Sequence, residues 1–212
     1  MRVLIILAVV SLLSIAAKTQ PVLFEGMAGN EYLFYQHLIV KKFSPESPFG
    51  MMHIANVSRL YQTDVTKGGR PNEIMNQAYL TTNLSKSFTL LTGMFYTNVT
   101  GIRLAAGVQY ALPFKNGLWV TVPRVDIKDR GAVEIMSMLE LQPPVSDKTK
   151  LYIRLQAMSN YGPFHHNRSY QRFRFGVTIN KTQIGVGVNL NEYGRASKTH
   201  VNTGIFVRKE II

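Results

Sequence analysis

Between Gln183 and Asn191 the chain alternates without a break: Ile184, Val186, Val188 and Leu190 fall on one set of positions, and Gln183, Gly185, Gly187, Asn189 and Asn191 on the other. Successive side chains of a strand point to opposite faces, so this segment predicts a strand with one dry face. The same period of two recurs along the chain. Ile102, Leu104, Ala106, Val108, Tyr110 and Leu112 alternate with Arg103, Ala105, Gly107 and Gln109; Val133, Ile135, Leu139 and Leu141 oppose Glu134 and Glu140. Leu151, Ile153, Leu155 and Ala157 stand against Tyr152, Arg154 and Gln156, and Phe173, Phe175, Val177 and Ile179 against Arg172, Arg174, Gly176, Thr178 and Asn180.

Alternation alone does not say which face is inside. A soluble sandwich or barrel hides its apolar track, whereas a membrane barrel turns it to lipid and the polar track to the lumen. Three features favour the second arrangement. The segments reach about 10 to 12 residues, roughly twice the usual soluble strand, and at a tilt near 45° they rise about 25 Å, the height of a barrel's apolar band. No charge interrupts the apolar tracks quoted above. The opposite tracks are rich in Gly, Ala and Asn, which suit a cramped lumen. On this reading Gly185 and Gly187 face inward because a small barrel has little room there, and Gly185→Ser is expected to be tolerated.

The expected fold is all-β, an up-and-down antiparallel transmembrane β-barrel. Eleven strands are legible, at 32–43, 50–61, 73–84, 87–97, 101–112, 118–128, 131–142, 150–161, 170–180, 183–193 and 199–209. A shorter one at 22–28 restores the even number that barrels of this kind carry, giving twelve, with ten as the alternative count. Twelve also puts the tight Lys-bearing turns (84–87, 113–117, 144–150 and 180–183) on the rim that holds both chain ends, with longer excursions at 62–72 and 162–169 opposite. A two-residue turn at Lys181 and Thr182 would pair Gly176 with Gly187 and Arg174 with Asn189. In 117–127 both tracks are apolar until Arg124 and Asp126, and Pro123 cannot donate to a ladder, so a bulge or a broken pair is expected there. Tyr96, Tyr110, Phe114, Trp119, Tyr152, Tyr161, Tyr170 and Tyr193 lie near strand ends, as in interfacial aromatic girdles.

Composition adds location. Arg2, an apolar run from Val3 to about Ala17 and small residues at Ser14, Ala16 and Ala17 form a secretory signal peptide, so residues 1–20 are expected to be removed and 21–212 to form the barrel. Ser11 and Ser14 break the run, which falls short of the roughly 20 apolar residues of a spanning helix. With no cysteine in 212 residues, neither a disulfide nor a thiolate metal site is available.

The signal peptide, the long alternating strands and turns such as NLSKSFTLL and ALPFKNGLW resemble the small outer-membrane β-barrel proteins of Gram-negative bacteria, especially those of Bacteroidota type. The resemblance is architectural and covers the whole mature chain. It implies residence in the cell outer membrane, against lipid and lipopolysaccharide. Such proteins commonly end on an aromatic residue; here the sequence closes on GIFVRKEII, with Phe206 several residues in.

The polar tracks assign Arg103, Glu134, Glu140, Arg154, Arg172 and Arg174 to the lumen. Glu140, taken as diagonal to Arg154 across their hairpin, could knit the charges into a plug, because internal charges need partners. Alternatively the arginines form a cationic track that concentrates anionic solutes. A similar architecture occurs in small channels for acidic oligosaccharides. The expected function is therefore a porin-like, non-enzymatic barrel passing small anionic solutes, the alternative a plugged scaffold that binds a partner membrane protein. A second alternative, a lipid hydrolase, would draw on His165, His166 and Ser169, or on His200 near Ser197, although no strand holds a Ser-x-His pair. No cofactor or metal is expected, since the adjacent histidines lack a third ligand at regular spacing. The five sequons, at Asn56, Asn83, Asn98, Asn167 and Asn180, read as turn and strand-face chemistry. The +12 charge is too scattered for a nucleic-acid site.

Overall fold

The computed structural model describes residues 22–62, 72–128, 131–162 and 164–211. They form twelve antiparallel strands: β1 (Val22–Gly29), β2 (Tyr32–Lys42), β3 (Phe49–Leu60), β4 (Glu73–Asn83), β5 (Phe88–Thr97), β6 (Gly101–Phe114), β7 (Gly117–Asp126), β8 (Val133–Leu141), β9 (Thr149–Tyr161), β10 (His166–Ile179), β11 (Thr182–Tyr193) and β12 (Lys198–Ile211). Each strand pairs with its sequence neighbours, and β1 pairs with β12, so the sheet closes on itself and leaves no edge. The count of twelve holds, including the short first strand. The 1–20 segment and most of the 62–72 excursion lie outside the described residues. The 162–169 excursion is shorter than its composition predicts, because β10 already begins at His166.

Faces follow the alternation. Gln183, Gly187, Asn189 and Asn191 are buried inside, while Ile184 and Val186 stay half exposed on the outer wall. Elsewhere on that wall Ile102 is 71% exposed and Ile205 67% exposed, the apolar surface of a barrel that meets lipid.

Two local expectations are corrected and a third is narrowed. First, the β10–β11 turn is centred one residue earlier than the sequence suggests. Ile179 pairs with Thr182, so Gly176 faces Gly185 and Arg174 faces Gly187. Asn180 (φ 47°) and Lys181 (φ 63°) take the two left-handed positions of a type I′ turn, which fits the strand twist and which Asn tolerates well. The shift is two residues, so inward still meets inward. Second, Gly185 is small because of a backbone, not a side chain: a Cβ there would fall on the carbonyl of Phe175 and the Cα of Gly176. Serine is therefore not tolerated without moving the strands apart. Third, Pro123 interrupts pairing only toward β6, where the ladder lapses between Gly107–Arg124 and Tyr110–Thr121 and resumes in the same register. It is a broken pair without a bulge.

The aromatic expectation splits. Phe88, Tyr110 and Trp119 form a contiguous outer cluster, with Tyr110 edge-on to Trp119 at 5.9 Å. Tyr152 and Tyr170, by contrast, are buried inside, as their own alternation with apolar neighbours requires, and Tyr193 lies 5.3 Å from the Arg168 guanidinium. The interior is not polar throughout either. Met52, Met75, Tyr79, Leu91, Phe95 and Ala105 make an apolar cluster on the β3–β6 side, joined by Leu38, Ile54 and Val122. A second cluster joins Met27, Tyr32, Phe34, Tyr152 and Phe206.

Candidate functional site: a charged wall facing an apolar wall

The site is the lumen. Its charged wall comes from β8–β12 and β1, where inward positions carry long polar side chains at every second residue. Glu25, on the short first strand, sits at the centre. Its carboxylate pairs with Arg154 at 2.6 Å and with Arg174 at 2.8 Å. Arg174 is fully buried, donates from Nη1 to Asn189 Oδ1 at 2.9 Å, and passes over Gly187, where a Cβ would stand 3.1 Å from its Cδ.

Toward the rim of the chain ends, Glu140 pairs with Arg208 at 2.6 Å and accepts from Gln142 Nε2 at 2.8 Å and from the Tyr152 hydroxyl. Glu140 stands directly opposite Arg154 in the β8–β9 ladder, not diagonally, and its ion pair goes to β12. A separate group closes the β6–β8 sector: Asp126 pairs with Arg103 at 2.9 Å and lies 3.6 Å from Arg124, which pairs with Glu134 at 2.9 Å. Near the far rim Arg168 pairs with Glu73 at 2.8 Å.

Arg172 differs. Among the described residues it has no carboxylate partner; it donates to Gln36 Oε1 at 3.2 Å and lies between the rings of Phe34 (4.4 Å) and Tyr170 (4.1 Å). Aromatic faces hold a guanidinium through the ring quadrupole without neutralising it. Taken together, these groups hold seven arginines (103, 124, 154, 168, 172, 174 and 208) and five carboxylates (25, 73, 126, 134 and 140), an excess of two positive charges.

All six residues assigned to the lumen from sequence point inward, but into separate ion-pair groups rather than one track. Glu25, Glu73, Arg168 and Arg208 were not legible as members. Glu25 sits in a segment too short to show alternation clearly, and Glu73 and Arg168 sit beside rim loops. Arg124 and Asp126 had left a signal, as the charges that end an otherwise apolar strand. Between the charged wall and the apolar one lies a cavity of about 420 Å³. It runs from Val40 and Glu210 near the chain-end rim up to Asn56, Gln77 and Tyr170. Beyond it, between Met75, Glu73, Arg168 and Arg172, lies a small separate cavity of about 10 Å³.

The histidine candidates separate. His166 Nδ1 lies 2.9 Å from the Gly194 carbonyl and Nε2 lies 2.8 Å from Ser169 Oγ, which in turn meets Ser159 Oγ at 2.8 Å. The carbonyl can only accept, so Nδ1 carries a proton, and in the neutral tautomer this leaves Nε2 to accept from the serine hydroxyl. Residues three apart in a regular strand face opposite ways; an irregularity between His166 and Arg168 brings both onto the outer wall. Sequence spacing hid this pair.

No family model and no curated protein sequence matches this chain. Solved structures do. The NanC porin superposes with a TM-score of 0.53 at 8% identity, covering 92% of this chain and 100% of that one. The KdgM porin superposes at 0.52 with 10% identity, covering 91% and 100%. KdgM in complex with disordered oligogalacturonate gives 0.51 at 8% identity over 91% and 100%. At such identities the likeness is one of fold: a closed twelve-stranded barrel of the outer-membrane porin kind.

Proposed function

We propose that this protein is an outer-membrane barrel whose narrow, arginine-rich lumen admits small anionic solutes and that its lumen does no chemistry. The observation that carries the reading is Arg172. It lines the lumen beside Met75 and Arg168 with its charge held by two aromatic faces instead of a carboxylate, in a lumen with positive charge in excess. A low-dielectric wall focuses such a charge on whatever enters. The oligogalacturonate in the KdgM complex supports the choice of anions as a class. In this placement the outer apolar band meets lipid, the far rim meets lipopolysaccharide, and the chain-end rim faces the periplasm, as short turns do in such barrels.

The protein reconstituted in planar bilayers should conduct with a preference for anions, and the preference should weaken as salt rises and screening shortens the reach of the arginine field. Arg172→Gln should move selectivity toward neutral without loss of fold, because no carboxylate loses its partner. A silent wild type would defeat this reading in favour of a plugged scaffold that binds a partner membrane protein.

One observation favours a second activity at the outer wall: the Gly194 carbonyl, His166 and Ser169 in hydrogen-bonded sequence, the order in which a base is oriented and a serine activated. There the substrate would be a lipid ester. A fluorophosphonate should then label folded wild type and not Ser169→Ala; equal labelling of both rejects it.

A further inference from the structure

The apolar wall of the lumen has no place in a simple anion path. Porin interiors are polar because water fills them, and a stretch of apolar lining promotes dewetting instead. Here Met52, Ile54, Met75, Leu91 and Val120 line one side of the cavity and Arg154, Arg208 and Glu25 the other, with Met138 and Glu140, neighbours on one face of β8, where the two sides meet. Three of these six apolar residues are methionines, whose unbranched, polarisable side chains adapt to apolar ligands of varied shape.

We infer that the cavity takes an anionic amphiphile, its hydrocarbon body against the methionine wall and its acidic head against the arginine wall. The inference rests on the anion reading above and narrows it. The volume of about 420 Å³ lies within the range of small-molecule sites, which join a mostly apolar lining to a few placed polar groups. The polar groups are present and incompletely used. Arg154 Nε and Arg124 Nε, both buried and both on residues that line the cavity, have no hydrogen-bond acceptor among the described residues. A buried donor without an acceptor is costly, and both atoms are closed off from the cavity, so a carboxylate, sulfate or phosphate oxygen reaches them only when the guanidinium groups turn toward it.

An acidic sugar fits less well. Where Met52, Met75 and Leu91 line the cavity its hydroxyls would be buried against apolar groups, which is unfavourable, and on that side polar partners come only from interspersed side chains such as Asn56, Gln77 and Tyr79. A medium-chain alkyl acid places methylene groups on that wall and oxygen only where the arginines are. At the chain-end rim the cavity is lined by Val40 and Glu210.

The test is calorimetric titration of the full barrel in lipid nanodiscs, with empty nanodiscs subtracted, using decanoate, 1-decanol and digalacturonate as probes. Decanoate should bind saturably, at least tenfold more tightly than either of the others. The double variant Met75→Gln, Met138→Gln should lose at least tenfold in decanoate affinity, and Met75→Leu, Met138→Leu should retain it, with heat-modifiable migration on gels confirming that both fold. Tighter binding of digalacturonate than of decanoate overturns the inference while leaving an anion conduit standing. Equal binding of decanol and decanoate removes the anionic head and overturns the inference, while the anion reading is decided by the bilayer conductance. Unchanged decanoate affinity in the Gln variant removes the apolar wall as a binding surface.

Discussion

Glu25 does the most with one side chain. It is the carboxylate that Arg154 and Arg174 share, on a strand of eight residues, so two buried guanidinium groups depend on it. Breaking a buried pair by deleting one partner costs about 3–5 kcal/mol, because the charge left behind is uncompensated. Glu25→Gln is therefore expected to lower stability by an amount of that order, read as a shift in the urea midpoint of folded barrel in detergent micelles. Arg172→Gln should leave the midpoint nearly unchanged, since Arg172 neutralises no carboxylate. Equal shifts would mean that the two sites are not distinct in the way their partners imply. At Gly185, serine should weaken the β10–β11 hairpin by on the order of 1–3 kcal/mol, the usual cost of forcing atoms into filled space.

At the scale of the element, the hairpin of β10 and β11 carries both functions of a barrel wall. Phe173, Phe175, Val186 and Val188 face outward while Arg172, Arg174, Gly187 and Asn189 face inward, paired in register. Phe175→Arg or Val186→Arg sets a charge in lipid near the midplane and should each cost about 2–4 kcal/mol. Measured by refolding yield and urea midpoint in lipid vesicles, both should fall well below wild type, and a neutral outcome would mean that this face does not meet lipid. The irregularity at the start of β10 shows the converse. One displaced residue brings His166 beside Ser169, a juxtaposition that regular alternation forbids.

For the whole molecule, closure decides behaviour. A sheet with β1 paired to β12 has no fraying edge, so the folded barrel should resist detergent at room temperature and migrate faster on gels than the same sample after boiling. Recovery of the unboiled protein as a water-soluble species without detergent would contradict a lipid-facing outer wall. Closure also brings together residues far apart in the chain: Glu25 with Arg174, Glu140 with Arg208, and Arg172 with Gln36.

That division separates what the sequence determined from what the tertiary structure decided. Period two sets the face of each side chain from its immediate neighbours alone. The all-β class, the twelve strands, the shared rim of turns and chain ends, and the inward direction of Arg103, Glu134, Glu140, Arg154, Arg172 and Arg174 could therefore be read from residues within one hairpin. Which inward charges meet is a matter of how the barrel curves and closes, and of where each turn is centred. The single-residue displacement of the turn at Asn180 moved every cross-strand pair of β10 and β11 by two positions while preserving the faces. The apolar wall was legible only as an oddity of β7, whose two tracks were both hydrophobic up to Arg124. Apolar residues on both tracks of one strand acquire meaning only when curvature sets Val120 and Val122 beside Met52 and Met75 and opposite the arginines, across a lumen that no local pattern describes.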